Sequence, residues 1–465
     1  MKIRLMAITI LLALSSGCVV GPNYKRPAVS IPASYHGTET PAPGASAQTG
    51  AASFGNLEWW NVFHDPVLQD LIRTALKQNY DLRIAAARIL QAEGELRITR
   101  SQQVPQVNGA ASAARQKTLF SPSFPSFENN SFQLGGSVSW LLDFWGKYRR
   151  ATQAARASLL ASEYNQQAVK VTLVSEVASG YFQLRALDLQ LQISQDTLKS
   201  RQSSLRLTQI KQQGGVASML DVRQAQSLVQ TAETTITDTQ RLISLQEDAI
   251  SILLGENPAA IPRGKPLDQE TLLPTLPAGL PSSLLERRPD IRQAEQVLIA
   301  ANAEIGVARA EFFPQISLTG SGGTESFQLY KLFSDGIWSF AGDLAQPIFT
   351  GGRLKGNLQA ARAQEQQALL AYEQIIQGAF REVSDALIGY DRNRQFLTQQ
   401  QALTETLAEA ERIARIQYQG GVTAYLSVLQ QETQYFSAQL QLTQAKLSEL
   451  DSVVSLYQAL GGGWQ

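Results

Sequence analysis

The chain contains two copies of one long unit, and this internal repeat restricts the possible fold more than any other feature of the sequence. Residues 81–107, DLRIAAARILQAEGELRITRSQQVPQV, align at a constant offset with residues 290–316, DIRQAEQVLIAANAEIGVARAEFFPQI. A second block, from Gly146 to Gly255, aligns with the block from Gly352 to Gly461, and in it QGGVAS matches QGGVTA. We therefore expect each element of the first copy to have an equivalent in the second.

Proline and small residues mark the boundaries of the two copies. Residues 256–289 contain seven prolines, too many for a continuous helix or a central strand. Residues 27–53 are rich in Pro, Ala, Gly, Ser and Thr, which is typical of an extended tether. The sequence thus predicts a tether at 18–56, a first structural repeat at 57–255, a connector at 256–289, a second repeat at 290–461 and a tail at 462–465.

Both copies contain long stretches with helical periodicity. Apolar and small residues recur alternately four and three positions apart, as in a coiled-coil seam, at Leu173, Val177, Gly180, Leu184, Leu187 and Leu191, and again at Tyr372, Ile376, Ala379, Val383, Ala386 and Tyr390. No proline interrupts 147–212 or 353–418, and each predicted helix would be about 100 Å long. Shorter helices of about 23 residues are expected from Asp81 and Asp290, and of about 39 residues from Val216 and Val422.

Between the short and the long helix of each copy lies a stretch of different composition. Small, Gly-rich and apolar residues partly alternate there, as in VNGAASA, FQLGGSVSWLLDFW and ISLTGSG, a pattern typical of transmembrane strands. A polar loop separates the two halves of each stretch. We predict four transmembrane strands at about 106–117, 131–145, 315–323 and 337–349.

Four strands cannot close a barrel, and an open sheet edge in lipid leaves backbone donors and acceptors unpaired at several kcal/mol each. Several chains must therefore share one barrel. The same association would bundle the long helices, which are rich in Ala, Gln, Ser and Thr outside their seams, into a tube. These arguments predict a symmetric oligomer and leave the number of copies open.

The N-terminus has the composition of a bacterial lipoprotein precursor. Lys2 and Arg4 precede an apolar run too short to span a bilayer, which predicts a signal peptide at 1–17. Cys18, the only cysteine of the chain, follows at the expected cleavage site, and we expect it to carry a covalent lipid. Val19 comes next, in place of the aspartate that retains lipoproteins at the inner membrane, which favours the outer membrane. An ordinary signal peptide with an incidental cysteine is the alternative.

Charge and composition argue against two classes of function. The 40 basic and 40 acidic residues balance, so nothing indicates a nucleic-acid partner. His36 and His64 have no partner set for a catalytic triad or a metal site, and Glu409, near Arg412 and Arg415, is interpreted as part of a solvated helix face. We predict no catalysis, no metal and no cofactor. A lipid-anchored structural coiled-coil protein without a pore remains an alternative.

Many dispersed motifs, in the same order, resemble one family along Cys18 to Trp464. They are GPNYKRP, WWNVFHDPVLQDLIRTALKQNYDLRIA, LPSSLLERRPDIRQAE, AEFFPQISL, QPIFTGGRL, GGVASMLDVRQAQ and LYQALGGGW. The chain resembles the outer-membrane factors of resistance-nodulation-division (RND) efflux systems, the OprM/NodT lipoprotein type related to TolC.

The resemblance implies an α+β membrane protein with a TolC-like fold. In that fold three chains share a 12-stranded barrel, and their long helices form a periplasmic coiled-coil barrel that is closed at its lower tip. It also implies a homotrimer in the bacterial outer membrane, docked to a periplasmic adaptor (a membrane fusion protein) and an inner-membrane RND pump. The implied function is the exit duct of a multidrug efflux pump. Export of a protein or of a signalling oligosaccharide by the same fold is the alternative.

Two QGGV turns lie at the ends of the long helices farthest from the strands, so geometry places them at the tip deepest in the periplasm. Their glycines, Gly214, Gly215, Gly420 and Gly421, allow the positive φ that a tight interhelical turn requires. The resemblance implies that these turns dock the adaptor, through the glycines together with Val216, Ala217, Ser218, Val422, Thr423 and Ala424.

The resemblance also implies a gate next to the turns. Asp221 and Tyr418 match family gate positions and are expected to join a polar network that holds the tip shut, although an exposed helix-start aspartate is the alternative for Asp221. Where relatives often have inward-facing aspartates, this chain has Ser427 and Gln430. We therefore expect an entrance without a dense acidic ring.

Overall fold

The protein is described from a computed structural model, which covers residues 19–36, 54–118, 127–269 and 281–462. The helices in these ranges are α1 (Trp59–Val62), α2 (Pro66–Gln78), α3 (Tyr80–Ser101), α4 (Lys147–Gln213), α5 (Met219–Leu254), α6 (Pro281–Arg287), α7 (Pro289–Ala310), α8 (Arg353–Gln419) and α9 (Tyr425–Ala459). The strands are β1 (Gln106–Thr118), β2 (Phe127–Leu142), β3 (Gln315–Ser326) and β4 (Gly336–Ala345).

The long helices follow the prediction from periodicity closely. Helices α4 and α8 each contain 67 residues, and each extends one residue beyond the predicted end. Most residues of the two seams are buried, among them Val177 and Leu184 on α4 and Ile376 and Val383 on α8. Helices α5 and α9 begin three residues later than predicted, because the preceding residues belong to the turns and to the helix caps.

The predicted connector is not wholly irregular. Helix α6 lies inside it and corresponds, at the 209-residue offset between 81 and 290, to the C-terminal half of α2. The second repeat therefore begins before residue 290, and the prolines at 281 and 289 occupy first-turn positions, where the missing N–H would be unpaired anyway.

The four strands form one antiparallel sheet in the order β1-β2-β3-β4, so β1 and β4 are its edges. Four strand ends differ from the prediction by three or more residues: β2 begins four residues early at Phe127, β3 ends three residues late at Ser326, and β2 and β4 both stop early. Strand β2 stops at Leu142 because the carboxylate of Asp143 accepts hydrogen bonds from the backbone N–H groups of Tyr148 (3.1 Å) and Arg149 (2.8 Å) at the start of α4. Strand β4 stops at Ala345, shortly before Pro347, which has no N–H to donate to a ladder.

The described residues divide into two compact units, and each unit takes segments from both repeats. One unit contains residues up to 29, 87–163 and 293–373, and thus the whole sheet. The other contains residues 30–86, 164–292 and 374 onwards, and thus both QGGV turns. The sequence repeats are therefore not the units in which the chain packs.

The predicted tether is packed on the body where the structure describes it. Residues 19–36 have no regular secondary structure, yet Tyr35 is buried, with its ring centroid 6.5 Å from that of Phe380. Cys18 and the predicted signal peptide lie outside the described residues. In the described ranges, no helix is both long enough and apolar enough to cross a bilayer.

A buried carboxylate joins the connector to the first repeat. Asp65 caps α2 by accepting from the backbone N–H of Val67 (2.9 Å), and it also accepts from the Tyr181 hydroxyl (2.6 Å) and from the backbone N–H of Lys265 (3.1 Å). The Tyr181 oxygen in turn accepts from the N–H of Gly264 at 2.8 Å. Burial, and next the hydrogen bond to Asp65, raise the pKa of Tyr181. The carboxylate therefore ties together three segments that are far apart in the sequence.

Candidate functional site

The first QGGV turn ends α4 with a Schellman motif. The N–H of Val216 donates to the carbonyl of Lys211 at 2.8 Å, and the N–H of Gly215 donates to that of Gln212 at 3.0 Å. Gly215 has φ of +74°, the left-handed conformation that this motif requires. The turn thus satisfies carbonyl groups that the helix end would leave unpaired.

The second turn ends α8 in the same way. The N–H of Val422 donates to Gln417 at 2.8 Å, and the N–H of Gly421, which also has φ of +74°, donates to Tyr418 at 3.2 Å. Of the four turn glycines, only Gly215 and Gly421 adopt the positive φ that glycine allows, and Gly214 and Gly420 do not. Each of these precedes the left-handed residue and closes a helical hydrogen bond, to Ile210 and Ile416 respectively.

This difference gives a matched test of the turns. Gly215→Ala and Gly421→Ala are each expected to destabilise their turn by about 1 kcal/mol, because a Cβ disfavours the left-handed conformation. Gly214→Ala and Gly420→Ala are expected to be neutral or slightly stabilising, because a Cβ at either would meet no atom closer than 3.6 Å. Amide hydrogen exchange at Val216 should be about fivefold faster in the Gly215 variant than in the Gly214 variant. Equal exchange in the two would show that the turn conformation does not depend on these glycines.

The turns present apolar side chains to the outside of the chain. Val216 and Val422, at equivalent positions of the two repeats, are 79% and 78% exposed. Leu220 and Leu426 follow four residues later and are also exposed. Ala217 and Thr423 are half-buried, whereas Ser218 and Ala424 are exposed. Each repeat therefore offers a small apolar surface suited to contact with another protein.

The helices that follow the two turns begin differently. Ser218 and Asp221 form a capping box, in which the Asp221 carboxylate accepts from the Ser218 N–H (2.8 Å) and the Ser218 hydroxyl accepts from the Asp221 N–H (3.1 Å). In the second repeat Ala424 has no capping side chain, and the Thr423 hydroxyl donates to that of Ser427 at 3.1 Å. Asp221, which is half-buried, therefore caps the start of α5.

Tyr418 belongs to an apolar cluster near the second turn. It is buried with Ala225, Ala414, Tyr425 and Val428, and its ring centroid lies 5.3 Å from that of Tyr425. Its hydroxyl has no hydrogen-bond partner within the part of the chain that the structure describes.

A lysine links the two turns. The ammonium of Lys211 donates to the Tyr418 carbonyl at 2.6 Å and lies 3.9 Å from the centre of the Tyr418 ring. Of the other predicted gate residues, Ser427 is half-buried and Gln430 is exposed. Within one chain Asp221 and Tyr418 use separate contacts, and their gate role stays a prediction.

Farther along the same helices is a buried ionic cluster that the sequence patterns did not lead us to expect. Glu432 is 6% exposed and accepts from the Ser204 hydroxyl (3.0 Å) and the Arg415 guanidinium (3.3 Å). Arg415 also pairs with Glu411. Arg201 is 2% exposed, donates to the Leu228 carbonyl at 2.9 Å and lies 4.9 Å from the Phe436 ring centre. Glu409 and Arg412 do lie on a solvated face, whereas the half-buried Arg415 belongs to this cluster.

Burial shifts the pKa values of this cluster. It raises the pKa of Glu432 and lowers the pKa of Arg201. The sequence did contain a signal for the cluster, since Ser194, Arg201 and Thr208 continue the α4 seam at seven-residue spacing and all three are buried. A seam defined by apolar residues alone does not continue past Leu191 without a break, because polar residues alternate with Leu198 and Leu205 at the next seam positions.

In the described ranges no group of three or more His, Cys, Asp or Glu side chains is arranged to hold a metal ion. The interactions around the turns are hydrogen bonds, ion pairs and apolar contacts. Interactions of these kinds can bind a partner or hold neighbouring helices together.

Comparison with known proteins gives matches along nearly the whole chain. The model of a family described as "Outer membrane efflux protein" matches residues 71–256 and 280–462. The toluene efflux pump outer membrane protein TtgF of Pseudomonas putida is 38% identical over 471 residues, which cover 100% of this chain and 98% of the relative. The cation efflux system protein CusC of Escherichia coli O157:H7 is 36% identical over 466 residues, 99% of each chain.

Solved structures agree in fold. A crystal structure of CusC superposes with a TM-score of 0.85 at 34% identity and covers 96% of this chain and 100% of that one. The open state of the MtrE outer membrane channel of Neisseria gonorrhoeae superposes with a TM-score of 0.86 at 32% identity and covers 96% of this chain and 99% of that one.

Proposed function

This chain belongs to the outer membrane efflux protein family, and from that premise we propose that it is the exit duct of a tripartite RND pump that expels drugs and other toxic small molecules. The family, the predicted α+β TolC-like fold and the outer-membrane location are shown by the comparisons. The chain is accordingly an outer-membrane efflux channel and not an enzyme.

One observation supports the proposed assembly most directly. The four-stranded sheet has two open edges, β1 and β4, and an edge in lipid leaves its backbone polar groups unpaired. Copies of the chain can satisfy both edges by pairing β4 of one with β1 of the next. We propose a homotrimer with a shared 12-stranded barrel and a periplasmic helical barrel, as the family resemblance implies.

The partners are assigned to the two ends of the chain. The exposed apolar residues of the QGGV turns, Val216 and Val422, fit a role in docking a periplasmic adaptor, which would connect the duct to the inner-membrane pump. At the N-terminus, Cys18 follows a signal-like segment, and we propose that it is acylated and anchors the chain to the outer membrane.

The names of the relatives do not agree on one class of cargo. They include pumps for toluene, other solvents and antibiotics, but also a cation efflux system. We propose organic compounds, because most of these names are of that kind and because the terminal motif LYQALGGGW resembles the small-molecule branch of the family.

Deleting the gene tests this function. Accumulation of several unrelated dyes and antibiotics is expected to rise in the deletion strain and to return to the original level with the wild-type gene. A copy carrying Gly215→Val and Gly421→Val should not restore efflux, because valine cannot adopt the left-handed turn conformation. A copy carrying Gly214→Ala and Gly420→Ala is the matched control and should restore it.

Accumulation of metal ions and secretion of proteins and oligosaccharides should be measured in the same strains. If only metal accumulation rises, or only secretion of a macromolecule is lost, the proposal of an organic cargo is wrong. The assignment of the chain as an efflux channel is unaffected by that result. Absence of ion conductance by the purified protein in planar bilayers would instead favour the structural coiled-coil alternative.

A further inference from the structure

The segment just after Cys18 is held against the body by a specific set of contacts. We name residues 19–26, VVGPNYKR, the strap. The strap has no regular secondary structure, yet the N–H of Val20 donates to the carbonyl of Trp145 at 3.0 Å, between the end of β2 and the start of α4. Trp145 is itself stacked on Phe313, with ring centroids 4.7 Å apart.

A buried arginine binds the strap through its backbone. Arg150 on α4 is 4% exposed, and its guanidinium donates to the carbonyls of Val20 and Gly21 (both 3.3 Å) and to the side-chain oxygen of Asn23 (2.8 Å). It also donates to the side chain of Gln153 at 2.8 Å. The described residues offer it no carboxylate within ion-pair distance, so the strap supplies most of the oxygens around this buried cation. Burial lowers the pKa of Arg150.

Two glycines permit the close approach of the strap to α7. Gly21 has φ of +110°, and a Cβ built on it would lie 2.5 Å from the Cα of Gly306. A Cβ on Gly306 would lie 2.8 Å from the Arg150 side chain and 3.0 Å from the Val20 carbonyl. No larger residue fits at either position without displacing the strap. Gly306 and Arg150 therefore form a seat that matches the backbone of residues 20 and 21.

The other end of the strap has a second attachment. Glu295 on α7 accepts from the Tyr24 hydroxyl at 3.2 Å and from the Arg26 guanidinium at 2.9 Å. Burial, and then the charge of Glu295, raise the pKa of Tyr24. The strap is thus held at both ends, and Lys25 between them is exposed.

We propose that the strap is an intramolecular ligand of the body, recognised by the Arg150–Gly306 seat, and that its docking fixes the N-terminus at the junction of β2 and α4. The consequence for the lipid rests on the acylation proposed above. Only Val19 separates Cys18 from the held Val20, so the Cα of Cys18, from whose side chain an acyl group would extend, lies within about 7 Å of the Cα of Val20. The lipid anchor then holds this end of the sheet at the membrane and does not act through a flexible tether.

Limited proteolysis of the full-length protein tests the proposal. Trypsin can cut after Lys25, and a docked strap protects this bond because a protease needs a locally unfolded segment. Gly21→Val, which blocks docking while leaving the body unchanged, should accelerate this cut about tenfold. Ala28→Val adds apolar bulk at an exposed position outside the seat and should leave the rate unchanged. The new N-terminus at Arg26 is identified by mass spectrometry.

A second variant changes the seat on the body and leaves the sequence of the strap intact. Arg150→Met should accelerate the same cut and expose the Val20 amide to hydrogen exchange, whereas Arg156→Ala, at an exposed position of the same helix, should do neither. If Gly21→Val and Arg150→Met both leave the Val20 amide as protected from exchange, and the Lys25 bond as slowly cut, as in the wild-type chain, the seat does not hold the strap and the proposal is overturned. The outcome is independent of the proposed function, because a protected strap in a chain that exports nothing would contradict only the latter.

Discussion

Asp65→Ala is expected to lower the free energy of unfolding by about 3–5 kcal/mol, because it removes a helix cap and leaves buried donors without their charged acceptor. The donors are the backbone N–H groups of Val67 and Lys265 and the hydroxyl of Tyr181. Asp65 is fully buried, so water cannot replace the carboxylate without local opening. The connector should separate from α2 and α4 before the rest of that unit unfolds.

Asp70→Ala is the matched control on the same helix. Asp70 is exposed and pairs with Arg73 one turn away, a kind of contact that contributes about 0.5 kcal/mol or less. The measurement is the urea midpoint of each variant in detergent, followed by helical circular dichroism. If the midpoints of Asp65→Ala and Asp70→Ala shift equally, the buried network does not stabilise the fold as described.

Glu432→Ala is expected to have a comparable effect, about 3–5 kcal/mol, because it removes the carboxylate that Arg415 contacts and whose charge stabilises the buried Arg201. Replacing both charges, with Arg201→Met and Glu432→Leu, should recover much of the loss, since an apolar side chain at position 201 can pack against the Phe436 ring. The coupling is measured by a double-mutant cycle, from the urea midpoints of Arg201→Met, of Glu432→Leu and of the variant that carries both substitutions. Additive losses in the double variant would argue against it.

Glu409→Ala provides the control for the loss of a carboxylate near the tip. Glu409 pairs with Arg412 on the surface of α8, where solvent screens both charges, and its removal should leave the urea midpoint unchanged. A loss at Glu409 as large as at Glu432 would mean that burial does not determine the contribution of these pairs.

The same cluster should make the free energy of unfolding depend on pH, and burial determines the sign of this dependence. Because burial raises the pKa of Glu432 above its ordinary 4.5, the folded chain binds this proton more tightly than the unfolded chain does. The free energy of unfolding should therefore rise as pH falls through the folded pKa, and the gain should level off below the ordinary value. Burial raises the pKa values of Glu449 and Asp451 in the same direction. Glu432→Gln should remove the contribution of Glu432 to the slope of the free energy of unfolding against pH. An unchanged slope in this variant would exclude Glu432 as a cause of the pH dependence.

Local patterns predicted the helices well and the strands approximately. The bounds of α4 and α8 follow from helical periodicity and from the absence of proline, because helix hydrogen bonds join residues four apart and can be inferred from neighbours. The ends of β2 and β4 were placed less well. They depend on the Asp143 cap, which competes with the ladder, and on Pro347, which has no N–H to donate to it.

Neighbouring residues and ordered motifs were enough to specify the repeat, the seams, the two glycine turns and the family. The partners of the buried polar groups were not specified in this way and became evident only in the folded chain. Glu432 bonds to Ser204 across 228 residues, and Asp65 bonds to Lys265 across 200. The docking of the residues after Cys18 on Arg150 likewise joins segments about 130 residues apart. The cost of burying a charge depends on partners that distant segments supply, and no local pattern specifies which segments those are.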